Sequence, residues 1–129
     1  MKPIARLITN ICSDKLPATR DFYTQLFDFQ VAFDSDWFIQ LTDSARGFEL
    51  GIIDRNNDLV PPAFQHTPNG FYLTFVVDNT DEVYEIAKAK GFDIIREPED
   101  TFYGQRRLLL KDPSGTLVDV SSLISNFQF

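Results

Sequence analysis

The feature that most constrains the fold of this chain is an internal repeat of about 55 residues. Each half begins with an apolar run, continues into a capped helix and ends in three further strand-like runs. Ser13 or Asp14 is predicted to cap the first helix, which should run from Leu16 to Phe27. The second helix is predicted over residues 81–90, with Gly91 ending it. The repeat predicts two copies of one βαβββ unit in an α+β fold.

The strand-like runs are short and are bounded by turn signals. They lie at 4–12, 29–33, 37–41 and 48–53 in the first half, and at 71–77, 92–97, 106–110 and 116–124 in the second. The residues between the halves carry three prolines and almost no periodicity, which predicts a linker. We therefore expect a single domain with module 1 over about 4–54, the linker over about 55–70 and module 2 over about 71–124.

Charge excludes several classes of partner, and the cysteine content and the N-terminal residues bear on location. The chain has 12 Lys and Arg against 19 Asp and Glu, a net charge of −7, so neither nucleic acid nor an anionic membrane is an expected partner. No apolar run approaches the roughly 20 residues that cross a bilayer. The single cysteine, Cys12, cannot form an internal disulfide, and the N-terminal residues lack the pattern of an export signal. A cytoplasmic location is predicted.

Polar residues interrupt three of the apolar runs at alternating positions. Side chains in a strand point to opposite faces in turn, so a polar residue between two apolar ones faces away from the packed side. Glu49 stands in such a position in GFELGII, Tyr72 in FYLTFVV and Asp119 in TLVDVSS. Alternation therefore predicts that Glu49, Tyr72 and Asp119 share the face opposite the helices.

Two longer segments carry a resemblance to a known family. They are DFYTQLFDFQVAFDSDWFIQL at 21–41 and LKDPSGTLVDVSSLI at 110–124. Together with the capped helices and the Pro-rich linker, they resemble the vicinal oxygen chelate superfamily, which includes glyoxalase I, bleomycin-resistance proteins, fosfomycin-resistance enzymes and extradiol dioxygenases. The resemblance implies that each module curls into a half-barrel with its helix on the outer face. Two modules or two chains would then enclose a cavity.

The metal-dependent members of that superfamily place a ligand on the first and the last strand of each module. Carried over, the last-strand positions fall on Glu49 and Asp119, and the first-strand positions fall on Ile8 and Tyr72. Neither Ile8 nor Tyr72 is a usual ligand of the family, and the one histidine, His66, lies in the linker. Two carboxylates alone bind Mg²⁺ weakly and Zn²⁺ or Fe²⁺ hardly at all. No metal and no other cofactor is therefore predicted.

The metal-free members that resemble bleomycin-resistance proteins imply a binding function. Such a protein, expected as a homodimer, holds a small hydrophobic or cationic compound against aromatic faces and acidic groups. Phe33 and Phe64 are further aromatic residues of this kind, and Asp36 is a further acidic residue. The candidate ligand-binding residues are Glu49, Tyr72, Asp119, Phe38, Gln40, Trp37, Phe102, Tyr103 and Arg106.

Two enzymatic alternatives remain open from the sequence. One is a divalent-metal-dependent isomerase, lyase or dioxygenase in which Glu49 is a metal ligand and Asp119 is a ligand or a general base. The other is a metal-free enzyme in which one of these carboxylates, its pKa raised by an apolar cavity, transfers a proton. In the metal-dependent case a neighbouring chain could contribute His66 as a further ligand.

The orientation of two further residue pairs is also open. Trp37 shares parity with Ile39 and Leu41 and could be buried under a helix, which would leave Phe38 and Gln40 facing the cavity. Of Arg106 and its neighbour in sequence, alternation sends one into the cavity, where it would neutralise a carboxylate or bind a ligand carboxylate. The other would be a solvated strand residue.

Overall fold

The structure is a computed structural model that describes residues 2–124. The chain divides into two compact units, unit 1 ending at Pro68 and unit 2 beginning at Asn69. Each unit folds around its own sheet and its own α-helix.

Unit 1 contains a four-stranded sheet in the order β1-β4-β3-β2. Strand β1 runs parallel to β4, whereas the β4–β3 and β3–β2 pairs are antiparallel. Its elements are β1 (Thr9–Ser13), α1 (Leu16–Leu26), β2 (Gln30–Asp34), β3 (Phe38–Asp43), β4 (Phe48–Asp54) and a 3₁₀ turn (Pro62–Phe64).

Unit 2 repeats this topology with the order β5-β8-β7-β6 and a parallel β5–β8 pair. The predicted α+β fold of tandem βαβββ modules is therefore confirmed. The elements of unit 2 are β5 (Tyr72–Val76), α2 (Thr80–Lys90), β6 (Asp93–Asp100), β7 (Gln105–Lys111) and β8 (Leu117–Leu123).

The core of unit 1 lies between α1 and one face of its sheet. On the helix, Phe22 and Tyr23 are fully buried and form an edge-to-face pair with ring centroids 4.9 Å apart. The strands contribute alternate apolar side chains, and burying each of them fully contributes about 1.5–3 kcal/mol relative to exposure. These strand residues are Ile11, Ile39, Leu41, Leu50 and Ile52. Because they occupy one face, the side chains between them are left for the opposite face.

Unit 2 is built in the same way around a well-capped helix. The side-chain oxygen of Asn79 accepts hydrogen bonds from the backbone N–H groups of Asp81 and Glu82, and Gly91 ends the helix in the left-handed region at φ 71°. The Gly91 end agrees with the prediction, and asparagine is a residue type that favours helix N-caps. The core of this unit contains Val83, Ala87, Leu108, Leu110, Val118 and Val120.

Two local expectations for unit 1 were wrong, and one open alternative is excluded. The first strand begins at Thr9 rather than at residue 4, because its pairing with β4 starts at Thr9 opposite Leu50. Neither predicted residue caps α1, since the cap is Lys15 without a side-chain bond, and Ser13 Oγ instead accepts a hydrogen bond from the Lys15 N–H at 2.9 Å. The excluded alternative is burial of Trp37 under the helix, since Trp37 precedes the start of β3 and is 38% exposed.

The helices are short. α1 and α2 have 11 residues each, against the roughly 20 needed to cross a bilayer. In residues 2–124, no helix is long and apolar enough to span a membrane.

Candidate functional site

Glu49 lies near the start of β4, on the sheet face opposite α1, and its side chain is 10% exposed. Its Oε2 accepts a hydrogen bond from Arg6 Nε at 2.9 Å, and its Oε1 accepts one from Arg6 Nη2. The side-chain amide of Gln40, on the neighbouring strand β3, donates to Oε1 at 2.9 Å. Glu49 therefore already binds a planar cation through both of its oxygens.

Arg6 sets the charge state of Glu49. The hydrogen bond from Arg6 holds the pKa of Glu49 below its ordinary value, and it outweighs desolvation, which acts in the opposite direction. The bond from Gln40 lowers the pKa further. Glu49 is thus a fixed negative charge near neutral pH. A proton-transfer role that depends on a raised pKa does not fit this residue.

Gly51 provides room for two side chains beside Glu49. It pairs with Asn10 on β1 and with Gln40 on β3, so all three positions share one face. A Cβ at position 51 would lie 2.1 Å from Asn10 Oδ1 and 3.0 Å from Phe38 Cε1. The amide of Asn10 and the ring of Phe38 therefore lie over this glycine. Asn10 was not predicted, although it alternates with the buried Ile11.

A cluster of aromatic rings continues this face. The ring centroid of Phe38 lies 5.5 Å from that of Trp37 and 6.4 Å from that of Phe33. Phe33 pairs with Gln40 and is 49% exposed. We call this set of residues the unit 1 face: Phe33, Trp37, Phe38, Gln40, Glu49.

In unit 2, Asp119 lies on β8 with its side chain 8% exposed. Its Oδ1 accepts a hydrogen bond from Ser121 Oγ at 2.6 Å, and its Oδ2 accepts one from Thr74 Oγ1 at 3.1 Å. Thr74 is the residue of β5 that pairs with Asp119. Tyr72 lies on the same face and is 51% exposed, with the Cζ of Arg107 5.9 Å from its ring centroid.

The remaining predicted residues of unit 2 lie elsewhere. Arg106 points to the helix side, where its Nε donates to Asp81 Oδ1 at 3.0 Å and its Nη1 donates to Asp100 Oδ1 at 3.1 Å. Phe102 and Tyr103 lie between β6 and β7 and pack edge to face, with centroids 5.2 Å apart. Phe102 is 96% exposed.

The residues at the family's metal positions do not fit a divalent metal. The oxygens of Glu49 are bound by Arg6 and Gln40, and those of Asp119 by two hydroxyl groups. Ile8 offers no donor atom, and His66 is exposed between β4 and β5. Within the described part of the chain, no three His, Cys, Asp or Glu residues are grouped closely enough to hold a metal ion. Two carboxylates whose oxygens already accept hydrogen bonds, without a histidine beside them, are a poor donor set for Zn²⁺, Ni²⁺ or Fe²⁺.

Comparison with known proteins supplies the family context. A sequence model of the Glyoxalase/Bleomycin resistance protein/Dioxygenase superfamily matches residues 5–120. A family enzyme of the same description from Burkholderia phytofirmans PsJN is 26% identical, with a TM-score of 0.78 over 91% of this chain and 97% of that one.

Two more distant structures share the fold. A glyoxalase/bleomycin resistance protein/dioxygenase from Nocardioides is 20% identical, with a TM-score of 0.72 over 99% of this chain and 88% of that one. A lactoylglutathione lyase from Agrobacterium tumefaciens is also 20% identical, with a TM-score of 0.68 over 94% of this chain and 96% of that one. No curated protein has significant sequence similarity to the chain.

Proposed function

The chain belongs to the glyoxalase/bleomycin resistance protein/dioxygenase superfamily, and we propose that it binds a small aromatic cation on the unit 1 face without transforming it. The observation that carries this proposal is the contact between Glu49 and Arg6. A carboxylate that is 10% exposed on the sheet accepts two hydrogen bonds from one guanidinium, with an amide from Gln40 beside it.

Arg6 has the chemistry of the proposed ligand. Its guanidinium presents two parallel N–H donors to the two oxygens of a carboxylate, which is the geometry that an amidinium or guanidinium compound also offers. Arg6 is 61% exposed and lies before the first strand, so its replacement by a ligand breaks no backbone pairing of the sheet. The protein's own side chain thus occupies the anchor until a ligand displaces it.

The aromatic part of the ligand would rest on the rings of the same face. Phe38 lies over Gly51, next to Gln40, and Trp37 and Phe33 extend the ring surface away from the carboxylate. Aromatic faces attract both apolar rings and cations. The net charge of −7 adds a general preference for cationic over anionic compounds.

The fixed charge on Glu49 supports binding rather than catalysis. A general base or acid works best when its pKa lies near the working pH, whereas Arg6 moves the pKa of Glu49 down and away from it. The proposed function is therefore sequestration of a compound, in the manner of the drug-resistance members of the family. As parts of the same proposal, the protein acts as a cytoplasmic homodimer, and the dimer is tested by measuring its mass in solution by light scattering.

Benzamidine is a suitable probe because it combines a planar amidinium with one aromatic ring, and benzamide is its neutral counterpart. We expect calorimetric titration to show that the wild-type protein prefers benzamidine. Glu49→Gln should weaken benzamidine binding by about tenfold or more, because it removes the charge from the anchor.

Asp58→Asn is the matched control for this experiment. Asp58 is an exposed residue between β4 and β5, so this variant loses one negative charge without touching the unit 1 face. It should bind benzamidine as the wild type does. Equal affinities for the wild type and Glu49→Gln, or equal affinities for benzamidine and benzamide, would refute the anchor role.

A further inference from the structure

Arg107 of unit 2 holds a guanidinium whose donors are largely unused. It lies on β7 and pairs with Ser121 of β8, on the sheet face opposite α2. Its Nε is buried and donates no hydrogen bond to any residue that the structure describes. Nor does any residue in 2–124 accept a hydrogen bond from its other two nitrogens. The side chain is 28% exposed, so part of the guanidinium is open to solvent.

Asp119 balances the charge of Arg107 without satisfying its donors. The distance from Arg107 Nε to Asp119 Oδ2 is 3.4 Å, which is an ion-pair distance but longer than ordinary N–H···O hydrogen bonds. Both carboxylate oxygens already accept hydroxyl hydrogen bonds, from Ser121 and Thr74. Asp119 therefore orients the guanidinium from its buried Nε side, and the two terminal nitrogens, Nη1 and Nη2, are left available for another acceptor.

The neighbouring arginine shows what a structural role looks like in this strand. Arg106 faces the helix side, where its Nε donates a hydrogen bond to Asp81 and its Nη1 donates one to Asp100. Both of its partners are exposed carboxylates of the same unit. Arg107 has no such pair of partners, although it is adjacent in sequence and has the same side chain.

The surroundings of Arg107 fit one class of ligand. A guanidinium binds a planar carboxylate through two parallel hydrogen bonds, which a lysine cannot do. Tyr72 presents a half-exposed ring whose centroid is 5.9 Å from Arg107 Cζ, and the hydroxyl of Thr74 lies on the same face. We propose that Arg107 and Tyr72 form a binding site for an aromatic carboxylate on unit 2. This site is built from residues of unit 2 and uses none of the residues of the unit 1 face.

Benzoate is the probe for this site, and benzamide is its neutral counterpart. The titration is followed on the isotope-labelled full chain by NMR, at the Nε–Hε resonance of Arg107 and the ring resonances of Tyr72. We expect millimolar benzoate to shift both sets of resonances to saturation, and benzamide to leave them in place. An Arg107 resonance that does not move with benzoate, or that moves equally with benzamide, would overturn the proposal.

Three variants test whether benzoate binding depends on the guanidinium group of Arg107 or only on its positive charge. Arg107→Gln should weaken benzoate binding by at least about tenfold, and Arg107→Lys should weaken it because the charge remains but the paired donors do not. Arg106→Lys, on the helix side, should bind benzoate as the wild type does. Unchanged affinity in a folded Arg107→Gln protein would contradict the proposal. Should that variant not fold, the wild-type titration decides alone.

The variants Glu49→Gln and Arg107→Gln distinguish the two proposals. Glu49→Gln should lose benzamidine binding and retain benzoate binding, whereas Arg107→Gln should do the reverse. Loss of benzoate binding in Glu49→Gln would contradict an independent site on unit 2.

Discussion

Replacing Gly51 by alanine tests whether the unit 1 face depends on the space over this glycine. A methyl group there would lie 2.1 Å from Asn10 Oδ1 and 3.0 and 3.1 Å from two ring carbons of Phe38. To restore ordinary contact distances, the Asn10 amide must retreat by roughly 1 Å or more and the Phe38 ring by a few tenths of an ångström. Both contacts are with the ends of side chains, so the backbone can keep its place.

The expected cost to stability of Gly51→Ala is small. Gly51 does not have a positive φ, and alanine in a strand interior gains about 0.5–1 kcal/mol over glycine. The Phe38 ring yields by only a few tenths of an ångström, so the main cost is moving the Asn10 amide off its preferred rotamer, which is about 0.5–1.5 kcal/mol. The two effects nearly cancel, so the melting temperature should change by no more than about 5 °C.

The expected cost to binding of Gly51→Ala is larger. Phe38 contacts both Trp37 and Phe33, so displacing its ring disturbs the whole aromatic surface. Aromatic contacts contribute about 0.5–1.5 kcal/mol each, which corresponds to roughly two- to tenfold weaker benzamidine binding. Calorimetric titration measures this change, and Trp37 fluorescence reports the shift of the rings.

Gly47→Ala is the control with the opposite pattern. Gly47 has φ +79° and nothing within 4 Å of an added Cβ, so alanine there strains the backbone without touching the face. It should lower the melting temperature and leave the benzamidine affinity unchanged. A Gly51→Ala protein that is as stable as the wild type and binds benzamidine equally well would refute the role given to this glycine.

Three further predictions concern Glu49 and its partners. Arg6→Ala should strengthen benzamidine binding by about two- to fivefold in calorimetry, because an exposed ion pair competes only weakly with the ligand; weaker binding would contradict competition. Since the folded-state pKa of Glu49 is lowered, its contribution to stability should be complete above the ordinary carboxyl pKa of about 4.3 and fall as the pH drops through the folded value, which acid titration of wild type against Glu49→Gln would show. Zn²⁺ or Ni²⁺ added to chelator-stripped protein should not raise the melting temperature, whereas a ligand at 100 times its Kd would add about 2.7 kcal/mol; stabilisation that is lost in Glu49→Gln would instead support a metalloenzyme.

Much of the fold follows from local sequence patterns. The two helices were predicted within one residue of their observed ends, because apolar residues recur at helical spacing and Gly91 marks the end of α2. Alternation also placed Gln40 and Glu49 on one face, and the structure joins them by a hydrogen bond. These predictions needed only neighbours in sequence.

Features that depend on distant contacts were missed. Arg6 reaches Glu49 across 43 residues from a segment outside any strand, and no local pattern marks it. Arg106 was chosen in place of Arg107 because the run RRLLL is buried at three successive positions, so it shows no alternation. Counting from Leu108 and Leu110, which are fully buried, would have placed Arg106 on the helix side.

The most direct test of the central claim is to follow the Nε–Hε resonance of Arg6 by NMR while benzamidine is added to the wild-type protein. If a cationic ligand takes the place of Arg6 on Glu49, this resonance should move to the position of a solvent-exposed arginine, with a midpoint at the calorimetric Kd. Benzamide should leave it unchanged. Benzamidine that binds while the Arg6 resonance stays in place would show that Glu49 is not the anchor.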